Sequence, residues 1–274
     1  GKRRTVRGNV MTAAAAEITL DRRPPVAVIT IDRRDEENRL AQEHLERLGG
    51  FAHELADADD IHAVVIAGAG PDWFSAGLLN PEIRAALPKE DVLEVVWLAN
   101  RVYDAIEALP QMVVCAINGA VTAGAVELAL ACDIRLASRE AFLACPEALW
   151  GGFPGAGAPV RLPLVVGHGR AMELIATGRR IDAAEMERIG FVEALHDGAD
   201  ATRAAAMTLA GKIGASGPLA TRGAKRIAKT RMAAGFEAAR ALSDDLRRAL
   251  EYSADVDEGI AAHRDGRAPR FTGR

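Results

Sequence analysis

The chain has 274 residues, 49% of them apolar, enough for one large domain or a domain with an appendage. A net charge of −4 and an aromatic content of only 4% argue against a basic, base-stacking nucleic-acid surface. No apolar run approaches the roughly 20 residues that a membrane helix needs.

The opening GKRRTVRGNV is basic and lacks the apolar stretch of a secretory signal, so residues 1–15 are expected to be a disordered arm or an appended scar. Residues 26–32 (VAVITID) alternate and are β-branched, which predicts a strand, and 33–39 form a charged turn. Leu45, Leu48, Phe51 and Leu55 recur at helical spacing within 40–58. Residues 63–67 (AVVIA) read as a buried strand and 73–80 (WFSAGLLN) as an apolar loop. A long helix is expected over 91–109, stopped by Pro110, then a strand over 112–117.

The central stretch, residues 116–138 (AINGAVTAGAVELALACDIRLAS), runs from a strand through a small-residue loop into an apolar helix that stops at Cys132-Asp133 before another strand. Beyond it come a short strand over 141–144 and an irregular glycine-rich segment over 146–157. Helices follow over 162–166 and 169–177, with Gly178 as a stop. Another helix spans 182–189 with Asp182 as its cap, and a short strand or exit segment spans 191–195. From 199 to 252 the pattern is helical, broken at 214–218, and the tail is charged. Strands and helices therefore alternate to about residue 198 and helices dominate afterwards, predicting a 16–198 α/β core and a 199–274 helical region.

Three segments carry possible chemistry. Residues 74–80 can leave backbone N–H groups unpaired as an oxyanion hole, or can be an ordinary turn. Residues 119–127 open a helix whose N–H groups and positive end suit an enolate or a phosphate, although close helix–sheet packing also favours glycine and alanine. Glu127 stands there among core residues, where an isolated carboxylate is costly unless paired, protonated or used. Glu147, after a short strand and before Trp150 and Gly155, is either a surface glutamate or its partner. Two carboxyls in one dry pocket push their pKa values apart, which suits adding or removing water across a double bond. Cys115, Cys132 and Cys145 fit no metal spacing and read as buried reduced thiols of a cytoplasmic protein. The six histidines are scattered, and neither a Walker sequence nor a dinucleotide-binding context is present.

Taken together, these residues resemble the enoyl-CoA hydratase/isomerase (crotonase) family from about residue 17 onward. The matching pieces are Asn38 and Leu40, Phe74-Ser75-Ala76-Gly77, Ala116-Ile117-Asn118-Gly119 with Glu127-Leu128-Ala129 and Cys132-Asp133-Ile134, Pro146-Glu147, and Arg267-Ala268-Pro269-Arg270-Phe271. The resemblance implies a spiral of ββα units with a C-terminal helical trimerisation region, assembled as a homotrimer or dimer of trimers. It implies no bound cofactor or metal, and coenzyme A carried as part of an acyl-CoA substrate. By motif position, Leu78 and Gly124 would hold the thioester oxygen, Glu127 would activate water and Glu147 would exchange the α-carbon proton. Ala76, Gly77, Leu79, Trp150 and Gly155 would contact substrate.

The chain departs from the family pattern at Leu78-Leu79, at Asn80-Pro81-Glu82 where no basic residue is obvious, at Arg34 and Arg39, and at Ala123 and Ala125. Hydration of an enoyl thioester is the reading these features favour, with a non-standard acyl group. Isomerase, decarboxylase or carbon–carbon hydrolase chemistry on the same fold remains open, as does a silent acyl-CoA-binding role.

Overall fold

The structure is a computed structural model and describes residues 17–234, 242, 245, 249 and 252–274. The arm expected over 1–15 lies outside the described residues, as does most of the helical stretch expected over 235–252.

Two sheets build the core. The larger takes β1 (Ile18–Arg23), β2 (Val26–Ile31), β3 (Ala63–Gly68), a strand at Met112–Ile117, one at Ile134–Ser138 and one at Ala194–His196, side by side in that order. All neighbours pair in parallel except β1, which folds back antiparallel on β2. The smaller sheet takes β4 (Trp73–Ser75), Ala120–Thr122, Phe142–Ala144 and Ile181–Asp182. From Ala63–Gly68 to Phe142–Ala144, successive strands thus go alternately to the large sheet and the small one. The long strand β3 (AVVIAG) is rich in β-branched residues and fully buried, and the short strand β4 follows after a tight loop. In chain order the later strands are β5 (Met112–Ile117), β6 (Ala120–Thr122), β7 (Ile134–Ser138), β8 (Phe142–Ala144), β9 (Ile181–Asp182) and β10 (Ala194–His196).

Helices close each turn because their apolar faces have nowhere else to go. Helix α1 (Gln42–Ala56) buries Leu45, Leu48, Ala52 and Leu55, and it packs along a long helix at Lys89–Glu107 that buries Val95, Ala99, Val102, Tyr103 and Ile106. Helix Gly198–Gly214 lies on the opposite face of the large sheet. Its Ala206 and Ala210 are small enough to sit against Val65, Val114, Ala116 and Leu136. Among the described residues no helix is long and apolar enough to cross a membrane.

The predicted elements recur, with differences among the short ones. Strand β1 lacks a strong alternating pattern because its outer residues, Asp21, Arg22 and Arg23, face solvent at the sheet edge. The segment 73–80 is not all loop: Trp73–Ser75 pairs with Ala120 and Val121 as β4. A short helix, α2 (Pro81–Ala86), then precedes α3 (Lys89–Glu107), with Asn80 accepting from the Ile83 N–H at 2.8 Å as its cap. The small-residue loop after Asn118 likewise contains β6, a strand too short to show a period.

Two buried asparagines fix the turn that joins the sheets. Asn38 donates to the carbonyls of Ala69 and Trp73, and Asn118 donates to those of Gly70 and Trp73 while accepting from the Gly68 N–H. At the end of β6, Ala123 adopts φ 51°, a left-handed conformation that costs a residue with a Cβ on the order of 1–3 kcal/mol. Ala123→Gly is therefore expected to raise stability by about 1 kcal/mol, since glycine accepts this conformation without strain. Thermal unfolding of the two proteins measures it, and an unchanged or lowered midpoint would contradict the strain.

Candidate active site

One cavity of about 300 Å³ opens where the short strands end, lined among others by Leu78, Leu79, Gly124, Glu127, Glu147, Trp150 and Gly155. Seven of the nine residues singled out from sequence therefore share one space. Ala76 and Gly77 do not line it. Ala76 is buried behind, its N–H bonded to the Glu37 carbonyl, and Gly77 presses its backbone against Gly124. A Cβ on Gly77 would come within 2.7 Å of the Gly124 nitrogen, and φ is +84° there, so only glycine lets the two loops meet this closely. The loop is tied down from the other side as well. Leu40 N–H donates to the Gly77 carbonyl at 2.8 Å, and the Arg39 guanidinium reaches the Ala76 carbonyl at 3.1 Å.

That contact places Leu78 and Gly124 against one another. Leu78 follows the Gly77 turn, and Gly124 is the first residue of α4 (Gly124–Ala131), where helix N–H groups have no partner in their own helix. Neither amide donates to a protein acceptor among the described residues, and both residues line the cavity.

Glu127 stands in the first turn of α4 and is 2% exposed. Its Oε1 accepts from the Ala158 N–H at 2.9 Å. Burial pushes its pKa up from 4.5 to about 8, and the neighbouring Glu147 adds to the rise against the opposing pull of the Ala158 and Ala156 amides. Glu147 belongs to a 3₁₀ turn, Pro146–Trp150, and burial pushes it up to about 7. Its Oε2 is buried with no hydrogen-bond partner among the described residues. A carboxylate left bare in a dry pocket binds a proton more readily than one in water.

The segment carrying the Ala158 amide is held by residues that the sequence reading passed over. Helix α5 (Ala158–Val166) carries Arg161, which is 7% exposed and pairs with Asp104 and with Glu107 (2.6 Å) on α3. It also donates to the Ala156 carbonyl at 3.3 Å, while Asn100 on α3 donates to the Gly155 carbonyl at 2.9 Å. The signal for Arg161 was present: a lone arginine inside an apolar helix, APVRLPLVV, needs partners as much as Glu127 does. Arg84 on α2 also lines the cavity. It was hidden because α2 itself was not expected. Cys145, near both glutamates, is a buried thiol that burial pushes well above its usual range, and Cys115 and Cys132 are buried and free.

A family model described as enoyl-CoA hydratase/isomerase matches residues 21–274. The chain belongs to the enoyl-CoA hydratase/isomerase family. YngF of Bacillus subtilis, a protein named for the same family, is 36% identical over 248 residues, covering 90% of this chain and 95% of YngF. A short-chain-enoyl-CoA hydratase of Clostridium acetobutylicum is 32% identical over 228 residues, covering 83% and 87%. The crystal structure of an enoyl-CoA hydratase from Bacillus anthracis superposes with a TM-score of 0.90 at 33% identity, covering 94% of this chain and all of that one. The alternation of long and short strands described above is the family's crotonase fold, and the cavity lies where its two inner loops meet.

The raised pKa of Glu127 makes stability depend on pH. Its folded value lies above 4.5, so the folded protein holds the proton more tightly than the unfolded chain. That contribution is complete below about pH 4.5 and is lost as pH rises through about 8. Relative to Glu127→Gln, the parent should therefore lose on the order of a few kcal/mol between pH 5 and 8.5. Urea unfolding of both proteins at the two pH values tests this, and a constant difference would remove Glu127 as a buried titrating group.

Proposed function

We propose that this family member is an enoyl-CoA hydratase that adds water across the α,β-double bond of an acyl-CoA thioester. The observation that carries the reading is the meeting of a buried carboxyl, Glu127, and a half-buried one, Glu147, with Leu78 and Gly124 around one cavity. The hydratase name of the Clostridium relative supports it.

In this reading the thioester oxygen accepts from the Leu78 and Gly124 N–H groups. Negative charge grows on that oxygen as the β-carbon is attacked. Donors fixed in place beforehand therefore stabilise the transition state more than the ground state. Glu127 takes a proton from water, the oxygen bonds to the β-carbon, and the double-bond electrons move toward the thioester. Glu147 then gives its proton to the α-carbon. One water is consumed and the proton count balances: Glu127 ends protonated and Glu147 ionised, the arrangement that drives the reverse dehydration. With values of about 8 and about 7, the pair holds one proton between them near neutrality. Moving it from one glutamate to the other costs only about 1.4 kcal/mol per unit of difference, so both directions are accessible.

No resident cofactor enters this chemistry, and coenzyme A arrives as part of the substrate. Isomerisation needs a single carboxyl to shuttle one proton, whereas the second glutamate in this cavity has its natural use in hydration. Residues 199–274 are assigned to assembly as a homotrimer or dimer of trimers. Exposed apolar side chains at Met232, Tyr252 and Ile260 support an interface there, and sedimentation of the native protein should give three or six chain masses.

Glu127→Gln and Glu147→Gln should each cut kcat for crotonyl-CoA hydration by about 10²–10⁴, with KM changed far less. The pH dependence of kcat/KM in the parent should be a bell with its limbs near 7 and 8, because one proton must be present and only one. Two variants that both stay near the parent rate would sink the mechanism.

A further inference from the structure

We propose that Arg84 makes this cavity select enoyl groups that carry a carboxylate of their own. The inference rests on the hydratase reading for the location of the acyl chain, and it adds the class of chain.

Arg84 is the one cation among the residues lining the cavity. It sits on the short α2, anchored at its start by the Asn80 cap and Pro81, directly after the loop that presents the Leu78 amide. Its guanidinium lies against Gly152, where an added Cβ would stand 3.5 Å from Nη1. The Gly152 N–H in turn donates to the Glu147 carbonyl at 2.9 Å. The positive charge therefore lies against the segment that carries one of the two active carboxyls.

Arg84 makes no ion pair among the described residues. Arg135, Arg161 and Arg179, in contrast, are each held by at least one glutamate or aspartate. Glu82 is two positions away on the same helix and does not face it. Glu147 leaves its own Oε2 without a partner rather than engaging it. The loop before it, Leu78-Leu79-Asn80, contains no acid, and the nearby walls are Val92, Leu93, Val96 and Phe153.

A purely hydrocarbon chain would meet those walls well and leave the guanidinium unmatched. Arg84 is itself exposed at the cavity mouth, and a chain ending in a carboxylate would fill the same space and close two N–H···O bonds with its planar fork. The phosphates of the coenzyme are the other source of an anion for Arg84, so the experiment separates the two.

The parent, Arg84→Leu, Arg84→Glu and Arg84→Lys are assayed with three thioesters. One is crotonyl-CoA. The second is glutaconyl-CoA, which is crotonyl-CoA with a carboxylate on its last carbon. The third is crotonyl-pantetheine, which has no phosphate. In the parent, kcat/KM should favour glutaconyl-CoA over crotonyl-CoA, and in Arg84→Leu that ratio should fall roughly tenfold or more, through KM rather than kcat. Arg84→Glu should lower it further, and Arg84→Lys should restore part of it. An equal loss on both coenzyme A thioesters with none on crotonyl-pantetheine would assign Arg84 to the coenzyme and overturn the proposal. An unchanged ratio in all variants would overturn it too. If no thioester is hydrated, the hydratase reading fails on its own, and calorimetry with glutaryl-CoA against butyryl-CoA still decides the carboxylate preference. Tighter binding of glutaryl-CoA that disappears in Arg84→Leu upholds it, and equal binding ends it.

Discussion

The close approach of two backbones at Gly77 and Gly124 is the constraint on which the cavity depends. Any side chain at Gly77 would strike the Gly124 nitrogen, and any at Gly124 would strike Leu78. Only with both positions bare can Leu78 and Gly124 line one cavity together. The rest of the turn is built to keep that contact. Asn38 and Asn118 clamp the 69–73 carbonyls from two sides, Leu40 and Arg39 hold the Gly77 loop from behind, and β4 is paired to β6 at Trp73 and Ser75. The long strands need not be special for this. They need only repeat at one register, so that each short strand begins at the same height as its neighbour.

Much of this was legible in the chain because its signals are local. β-branched runs marked β2, β3 and β5, and an aspartate before an apolar run marked the cap at Asp182. A carboxylate in an apolar helix marked Glu127, since sequence alone shows that such a group must be paired, protonated or used. Strand β1 and helix α2 were not legible. One is an edge strand whose alternation is masked by charge, and the other is a six-residue helix that buries nothing. Short elements held by tertiary contacts leave little periodicity to read. Arg39 was noticed only as a departure from a family pattern. In the structure its long side chain supports the Ala76 carbonyl, a role no local rule predicts.

The remaining site residues were hidden because their partners are distant in sequence. Arg161 meets Asp104 and Glu107 across more than fifty residues, and Asn100 meets Gly155 across as many. Both hold the segment that offers the Ala158 N–H to Glu127. Asp104 and Glu107 are partly exposed, so these ion pairs contribute little to stability by charge alone. Their effect lies in position. A shift of a few tenths of an ångström in the Ala158 amide changes the hydrogen bond that opposes the rise in the Glu127 pKa.

The site carries several features that oppose folding: Ala123 in a left-handed conformation, a buried Glu147 oxygen without a partner, and a glutamate at 2% exposure whose ionised form is strongly disfavoured. A chain optimised for stability alone would replace each of them. They persist together in one cavity, whereas the opposite face of the large sheet is filled by Ala206, Ala210 and valines with no such conflict. A concentration of such costs around one cavity is the pattern expected where geometry is held for chemistry rather than for packing. Arg84 differs in kind: it is exposed and costs folding nothing, so its bearing on the site is by place alone. Its position against the Glu147 segment ties it to the same cavity.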